Sequence, residues 1–335
     1  MIRIGINGYG RIGRALHRQT LDGEDIRVVA INSRAEADSH ALLLKRDSIY
    51  GTLDDLVEVN DGNLKVNGEK VLIFQESDHS KVPWADCGVD VVIESTGKFV
   101  TREQVLPHFE AGAKKVLVTA PCKDERIQTL VMGVNHQDYD PKNFQIISNA
   151  SCTTNALAPT MKVLEEVFGV ESALVSTIHA FTYTQNLLDN SNPEDLRRAR
   201  ATTESIIPTS TGAMSAIGQV IPSLKGKVNG MAFRVPVSSV SVLDMMVRLR
   251  TEVEIDEVNE AFMKVEAEGL MGILGTSSEP LVSVDYRGDK RSAIIDLLST
   301  KVVLGRNVQL VVWYDNEWGY VARVVDLIKW VMANG

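Results

Sequence analysis

Ile2-Arg3-Ile4-Gly5-Ile6-Asn7-Gly8-Tyr9-Gly10-Arg11-Ile12-Gly13, followed by a helical stretch over 14–20, decides the fold of the first half of this chain. Apolar residues alternate through 2–6 as in a short strand, and the glycines follow at once, so a G-x-G-x-x-G loop lies between strand and helix. Gly8 permits the tight turn, Gly10 lets the backbone approach a pyrophosphate, and Gly13 lets helix pack on strand. The N–H groups at the helix start then face the phosphates. A second apolar run, Ile26-Arg27-Val28-Val29-Ala30-Ile31-Asn32, completes a βαβ unit. A bare glycine pattern also occurs in structural turns; the strand before it, the helix after it and the strand beyond point to dinucleotide binding.

A second informative stretch is Ser148-Asn149-Ala150-Ser151-Cys152-Thr153-Thr154-Asn155, where a polar turn becomes an amphipathic helix. Leu157, Met161, Leu164 and Phe168 recur at helical spacing, and Ser151 is a natural N-cap. Cys152 therefore falls in the first turn, where unpaired N–H groups and the positive dipole end favour a thiolate and predict a lowered pKa. Pro159 removes one hydrogen bond inside the run and predicts a kink beyond the helix start. Taken alone, such a cysteine is more often a small buried residue than a nucleophile.

The 335 residues exceed the size at which one core usually keeps growing, which predicts two domains; 44% hydrophobic and 24% charged residues are ordinary for a globular protein. A net charge of −9 without a dense Lys/Arg block argues against nucleic-acid binding. No apolar run reaches membrane-spanning length and no signal peptide is evident, so a cytoplasmic protein is expected. Cys87, Cys122 and Cys152 are few, far apart and without metal-ligand spacing, which fits reduced thiols and no metal site.

Strand-like and helical runs alternate from Val89-Asp90-Val91-Val92-Ile93-Glu94 through an amphipathic stretch over 102–112 to Lys115-Val116-Leu117-Val118-Thr119, the pattern of a parallel sheet. After Cys152 come longer strand candidates at 172–178, 231–234, 239–250 and 308–314, predicting a mixed or antiparallel sheet. The expected fold is α/β, with a dinucleotide-binding Rossmann domain over 1–150, an α+β catalytic domain over 151–317, and a terminal helix over 318–335 returning to the first domain. Val321, Val324, Val325, Ile328 and Met332 mark that helix's apolar face.

These motifs, with Ser95-Thr96-Gly97, Asp195-Leu196-Arg197-Arg198-Ala199-Arg200, Thr209-Ser210-Thr211-Gly212, Arg234-Val235-Pro236 and Trp313-Tyr314-Asp315-Asn316-Glu317, resemble phosphorylating glyceraldehyde-3-phosphate dehydrogenases from end to end. The resemblance implies oxidation of glyceraldehyde 3-phosphate to 1,3-bisphosphoglycerate, and the reverse, through a cysteine hemithioacetal and thioester with hydride transfer to NAD or NADP. It implies a homotetramer with a small-molecule substrate and inorganic phosphate as partners. It assigns Cys152 as nucleophile and His179, in His179-Ala180-Phe181-Thr182, as its base. An aldehyde needs that nucleophile because hydride leaves only when an oxygen lone pair can expel it. Thr182, Arg198 and Arg234 would bind the substrate phosphate, and Ser151, Thr153, Thr211 and Gly212 inorganic phosphate, since arginine forks and small hydroxyl or N–H donors suit phosphate oxygens. Arg197 and Arg200 read better as surface charges. Gly8, Gly10, Arg11, Ile12, Gly13, Thr96, Gly97 and Thr119 would line the cofactor, and Asn316 would hold the nicotinamide carboxamide. His17, His40, His79, His108 and His136 default to surface or packing roles.

The departures concern cofactor choice. NAD-using folds place an acid about 20 residues past the glycines, on the adenosine 2′-hydroxyl. Here Asn32 is followed by Ser33 and Arg34, which remove the repulsion of a 2′-phosphate and add an arginine to pair with it. Asn190-Ser191 stands where NAD-dependent relatives have Leu-Pro and points the same way. NADP is the preferred cofactor on this reading, with Glu36 and Asp38 nearby leaving dual use with NAD open. Erythrose-4-phosphate dehydrogenase is the nearest alternative enzyme; a cysteine hydrolase using the same Cys–His pair and a non-catalytic binding protein fit the glycine loop and the complete site less well.

Overall fold

The structure, a computed structural model, describes residues 1–193 and 195–335. It divides into two compact units: Met1–Leu130, His136–Ala150 and Val321–Gly335 form one, and Val131–Asn135 and Ser151–Tyr320 the other.

The first unit is built on a sheet whose spatial order is Gln128–Thr129, Ile146–Ser148, Val116–Val118, Val91–Glu94, Ile2–Asn7, Ile26–Asn32, Glu69–Phe74, Asn63–Val66 and Val57–Asn60. The strands from Gln128–Thr129 to Glu69–Phe74 are parallel, and the last two add an antiparallel ribbon. Ile4, Ile6, Ala30, Ile31, Val92, Ile93, Val116 and Leu117 are buried, as near-continuous apolar strands covered on both faces must be. Strand order reverses about Ile2–Asn7, so its C-terminal end is a topological switch point where ligands bind in open α/β sheets. The 102–112 stretch, expected as one helix, is two: Arg102–Val105 and Pro107–Glu110. Pro107 has no N–H to continue the first, and Thr101 and Gln104 cap its start reciprocally. In the terminal helix Trp318–Ala333, Val321, Val324 and Ile328 are buried as expected, but Leu327 and Val331 take the core positions predicted for Val325 and Met332.

The second unit carries a mixed sheet in the order Ile207–Thr209, Val228–Val235, Val170–Ala180, Ser241–Leu249, Asn307–Tyr314, Ala293–Asp296 and Leu274–Ser277. Val170–Ala180 runs parallel to Val228–Val235 and antiparallel to Ser241–Leu249. In the parallel pair Val175 faces Gly230, where a Cβ would lie 1.8 Å from the Val175 carbonyl oxygen, so only glycine permits this approach. The helix Cys152–Val167 buries Leu157, Met161 and Leu164 completely, at about 1.5–3 kcal/mol each. It runs unbroken through Pro159; the Thr160 hydroxyl donates to the Ala156 carbonyl at 2.9 Å in the turn where the proline removes a donor.

Candidate active site

Cys152 is the first residue of its helix, and Ser151 caps it: the Ser151 hydroxyl accepts the Thr154 N–H at 3.1 Å and meets the Thr154 hydroxyl at 2.8 Å. Ala150, just before the cap, has φ 53°, the left-handed region that non-glycine residues enter at a cost of about 1 kcal/mol or more. The Thr153 hydroxyl lies 3.9 Å from the Cys152 sulfur and 3.1 Å from the Tyr314 hydroxyl, which also bonds Thr177 at 2.8 Å. Tyr314 is buried and stands edge-on to the His179 ring, so one aromatic residue supports both.

His179 lies at the end of the strand Val170–Ala180, and the sheet register pairs it with Arg234 of the neighbouring parallel strand. Its Nε2 is 3.5 Å from the Cys152 sulfur. Its Nδ1 is 2.6 Å from Arg234 Nη1 and 2.7 Å from the Ala180 carbonyl, which Arg234 also reaches at 3.2 Å. Arg234, which only donates, calls for a lone pair on Nδ1, while the Ala180 carbonyl, which only accepts, calls for a proton there; with the proton on Nδ1 the ring presents a lone pair on Nε2 to the sulfur, and with it on Nε2 the ring donates to the sulfur.

The sequence predicted a lowered thiol pKa; the structure corrects this for the ligand-free protein. Burial pushes the Cys152 thiol up, against the opposing pull of Arg234 and the Thr153 hydrogen bonds. His179 is pushed down to about 3, by burial first and Arg234 second. The resting pair is a neutral thiol and a neutral imidazole, because desolvation outweighs the helix start and the guanidinium repels a second cation. A pH dependence of stability follows. The unfolded chain protonates His179 near 6.5 while the folded chain resists to about 3, so this group's contribution is present above pH 6.5 and lost as pH falls through 3. In cofactor-free protein, urea midpoints of His179→Asn are expected to fall less steeply than wild type over that window. Parallel slopes would exclude a depressed His179.

The anion-binding candidates surround the same strand ends. Ile207–Thr209 pairs antiparallel with Val228–Val235, placing Ile207 opposite Arg234. Arg198 donates through Nε and Nη2 to the Thr209 hydroxyl at 2.9 and 2.8 Å, and Thr209 and Arg198 both meet the Asp195 carboxylate, at 3.2 and 3.4 Å. Thr211 and Gly212 follow that strand and open the helix Ala213–Val220, which has no side-chain cap bond at Gly212. Thr182 is occupied locally by Thr184 and Gln185. Arg200 pairs with Asp189 on the surface and Arg197 is exposed.

In the first unit the glycine loop suits a dinucleotide. Gly8 sits at φ 95°, a Cβ on Gly13 would meet the Gly8 carbonyl oxygen at 2.5 Å, and a Cβ on Gly10 would meet nothing within 4 Å, which leaves an open cradle. The helix Arg11–Thr20 has no side-chain cap bond at Gly10, so its first N–H groups are placed for phosphate oxygens. The Arg11 side chain is bound to Asp47 at 2.6 Å, and Ile12 is half-buried. Thr96 and Thr119 both bond Glu94, Gly97 turns at φ 70°, Ser33 is half-buried and Arg34 exposed. Two cofactor candidates belong to the second unit. Ser191 is exposed, and Asn316 is buried with Oδ1 accepting from Ser241, whose own oxygen accepts the Ala180 N–H. That relay sets the Asn316 amide orientation, with its NH2 as the donor end. Val240, at φ 68°, holds Ser241 from the preceding position, an outlier for a β-branched residue.

Comparison with known proteins gives two family matches: residues 2–102 to the glyceraldehyde 3-phosphate dehydrogenase NAD binding domain, and 151–316 to the C-terminal domain of the same enzymes. The glyceraldehyde-3-phosphate dehydrogenase of Geobacillus stearothermophilus is 53% identical over 335 residues, spanning 100% of this chain and 99% of its own. The chain belongs to the glyceraldehyde-3-phosphate dehydrogenase family. Glyceraldehyde-3-phosphate dehydrogenase 2 of Bacillus subtilis (strain 168) is 50% identical over 332 residues, 99% of this chain and 97% of its own, and the glyceraldehyde-3-phosphate dehydrogenase of Streptomyces coelicolor is 48% identical over 332, 98% of each. Family membership establishes the α/β class, with a Rossmann dinucleotide-binding domain and a catalytic domain, and a nicotinamide dinucleotide as cofactor. Glyceraldehyde-3-phosphate dehydrogenase motifs quoted from the sequence contained Tyr314, Thr209 and Asp195 without giving them roles. Thr209 and Tyr314 end strands and Asp195 caps the short helix Leu196–Ala199, places whose meaning appears only once the register is known.

Proposed function

We propose that this chain oxidises glyceraldehyde 3-phosphate to 1,3-bisphosphoglycerate, and runs the reverse, with Cys152 as nucleophile and His179 as acid–base group. The carrying observation is the Cys152 sulfur 3.5 Å from His179 Nε2, at a capped helix start, with an arginine on the other ring nitrogen. Attack of the Cys152 thiol sulfur on the aldehyde carbon forms a hemithioacetal, the S–H bond breaking as its proton passes to the former carbonyl oxygen. His179 Nε2, facing the sulfur, is placed to hydrogen-bond the new hydroxyl. A bound nicotinamide would supply the hydride acceptor; His179 Nε2 takes the hydroxyl proton as the hydride leaves, and a thioester remains on Cys152. Inorganic phosphate then attacks the thioester carbon and the thiolate departs, its proton returned through His179.

Arg234, Arg198 and Thr182 are proposed to hold the substrate phosphate, and Ser151, Thr153, Thr211 and Gly212 the incoming phosphate. A phosphate on Arg234 competes with His179 Nδ1 for the guanidinium, which raises the imidazole's proton affinity when substrate is present. Asn316 is proposed to orient the carboxamide. A homotetramer in the cytoplasm is the accompanying reading: Leu174, Met231 and Met246 are exposed on one face of the mixed sheet, with Leu174 directly opposite Met246, an apolar patch of the kind that subunits cover.

NADP is the proposed preferred cofactor, because Ser33 and Arg34 present a hydroxyl and a cation where an acid would repel a 2′-phosphate. Ser33→Asp is expected to swing the NADP/NAD ratio of kcat/KM by roughly tenfold or more toward NAD, a like-charge penalty of about 1.4 kcal/mol at the least. Ser191→Pro in that background should move it further. Initial rates with each cofactor, with and without phosphate, on glyceraldehyde 3-phosphate and erythrose 4-phosphate, test the whole reading. A wild type that prefers NAD widely, with a ratio indifferent to Ser33→Asp, overturns the cofactor assignment and leaves the reaction class standing.

A further inference from the structure

The C-terminal ends of three adjacent strands in the first unit are joined by a buried polar chain that the chemistry above does not use. Asn32, Asn7 and Glu94 are register neighbours across Ile26–Asn32, Ile2–Asn7 and Val91–Glu94, and each is at most 5% exposed. At one end the Glu76 backbone fixes both ends of the Asn32 amide: Glu76 N–H donates to Oδ1 at 2.9 Å and Nδ2 donates to the Glu76 carbonyl at 3.0 Å. Asn32 Nδ2 also donates to Asn7 Oδ1 at 2.8 Å, so Asn7 Nδ2 must point onward, and it donates to Glu94 Oε2 at 2.6 Å. At the other end the Trp84 indole, which can only donate, gives its N–H to His108 Nδ1 at 3.2 Å. That leaves the His108 proton on Nε2, which donates to the same Glu94 oxygen at 3.1 Å. Thr96 delivers two further donors, its N–H at 2.9 Å and its hydroxyl, to Oε1.

Both ends of the chain are fixed in polarity, and both deliver donors to the middle. The middle residue must be an acceptor on every side, which among side chains means an ionised carboxylate. Its partners are also the parts of the cradle. Thr96 opens the Gly97 turn; Asn7 precedes Gly8, whose N–H is held by the Asn32 carbonyl at 2.9 Å; and Asn32 precedes Ser33. We infer that Glu94 is a positioning residue for the dinucleotide: its four accepted hydrogen bonds set the Thr96-Gly97 turn, the glycine loop and the Ser33 turn in one arrangement before the cofactor arrives. This rests on the reading that the dinucleotide occupies the glycine loop.

The test is calorimetric titration of cofactor-free full-length protein with NAD and with NADP. Glu94→Gln puts an NH2 against the donors of Asn7 and His108, and is expected to weaken both dinucleotides about tenfold and by the same factor, as for loss of a hydrogen bond to a charged group. Hydrogen exchange of the Thr96 amide, read without cofactor, should speed up, while alkylation of Cys152 stays at the wild-type rate. Asn7→Asp/Glu94→Gln moves the carboxylate one place along the chain, where it accepts from Asn32 and from the amide introduced at position 94, and is expected to regain about threefold of the lost affinity. Should Glu94→Gln not fold, His108→Gln, which keeps a donor toward Glu94, is expected to bind as wild type and His108→Met about threefold more weakly. Equal affinity of Glu94→Gln and wild type, an additive loss in the double variant, or equal affinity of the two His108 variants each overturns the assignment. Failure of the unaltered protein to bind either dinucleotide overturns the reading of the glycine loop itself.

Discussion

Replacing Cys152 by serine is expected to lower kcat/KM for aldehyde oxidation on the order of 10⁶-fold, the scale on which removal of a catalytic nucleophile acts, with dinucleotide affinity unchanged. The surroundings of this residue already oppose ionisation: burial raises the thiol's pKa even with Arg234 and the Thr153 bonds pulling it down. A serine hydroxyl, far less acidic to begin with, has no route to an alkoxide there, and the neutral imidazole at 3.5 Å is too weak a base in the ligand-free site to generate one. The loss should appear in the burst of reduced cofactor as well as in turnover. Retention of more than a few per cent of wild-type activity would remove Cys152 from the nucleophile role.

His179→Asn is expected to lower kcat by about 10²–10⁴-fold, the usual loss for an acid–base group. Its second effect is on the sulfur. With its proton on Nε2 the imidazole stabilises a thiolate by donating to it, and the shorter asparagine withdraws that donor, so the pH midpoint of Cys152 alkylation by a neutral reagent should rise. In the wild type without ligands that midpoint should already lie above the ordinary thiol range, since burial is the leading cause of its shift. An unchanged midpoint in the variant would mean that the imidazole proton does not face the sulfur, leaving His179 to act on the substrate oxygen alone.

What could be read from the sequence was what depends on near neighbours. The glycine loop and the Ser151 cap each need only a few residues to be recognised, because turn geometry and the first helical turn are local. Periodicity gave the buried face of the Cys152 helix for the same reason. The His179–Arg234 contact was not legible: 55 positions separate the two, and only the strand register brings them together. Nor was the protonation state, because the pattern shows a helix start but not the depth at which the sulfur is set. In the sequence Glu94 only ends a strand-like run; its burial beneath Thr96, Asn7 and His108 depends on three strands and a helix separated in sequence. The single helix expected over 102–112 failed on Pro107, where apolar spacing continued across a position that cannot donate.

The close approach at Gly230 bears on how freely this enzyme can vary. Gly230 faces Val175 four positions before Arg234 faces His179, along the same pair of strands. Gly230 has no functional group, touches no reactant and would be passed over in any search for chemistry. Yet the alignment of the acid–base group with its arginine is carried along the ladder from this contact, and a side chain there must displace one strand against the other. Substitutions that abolish turnover should therefore extend beyond residues that handle the substrate to a silent position in mid-strand. Selection on catalysis would be felt there as strictly as at the nucleophile.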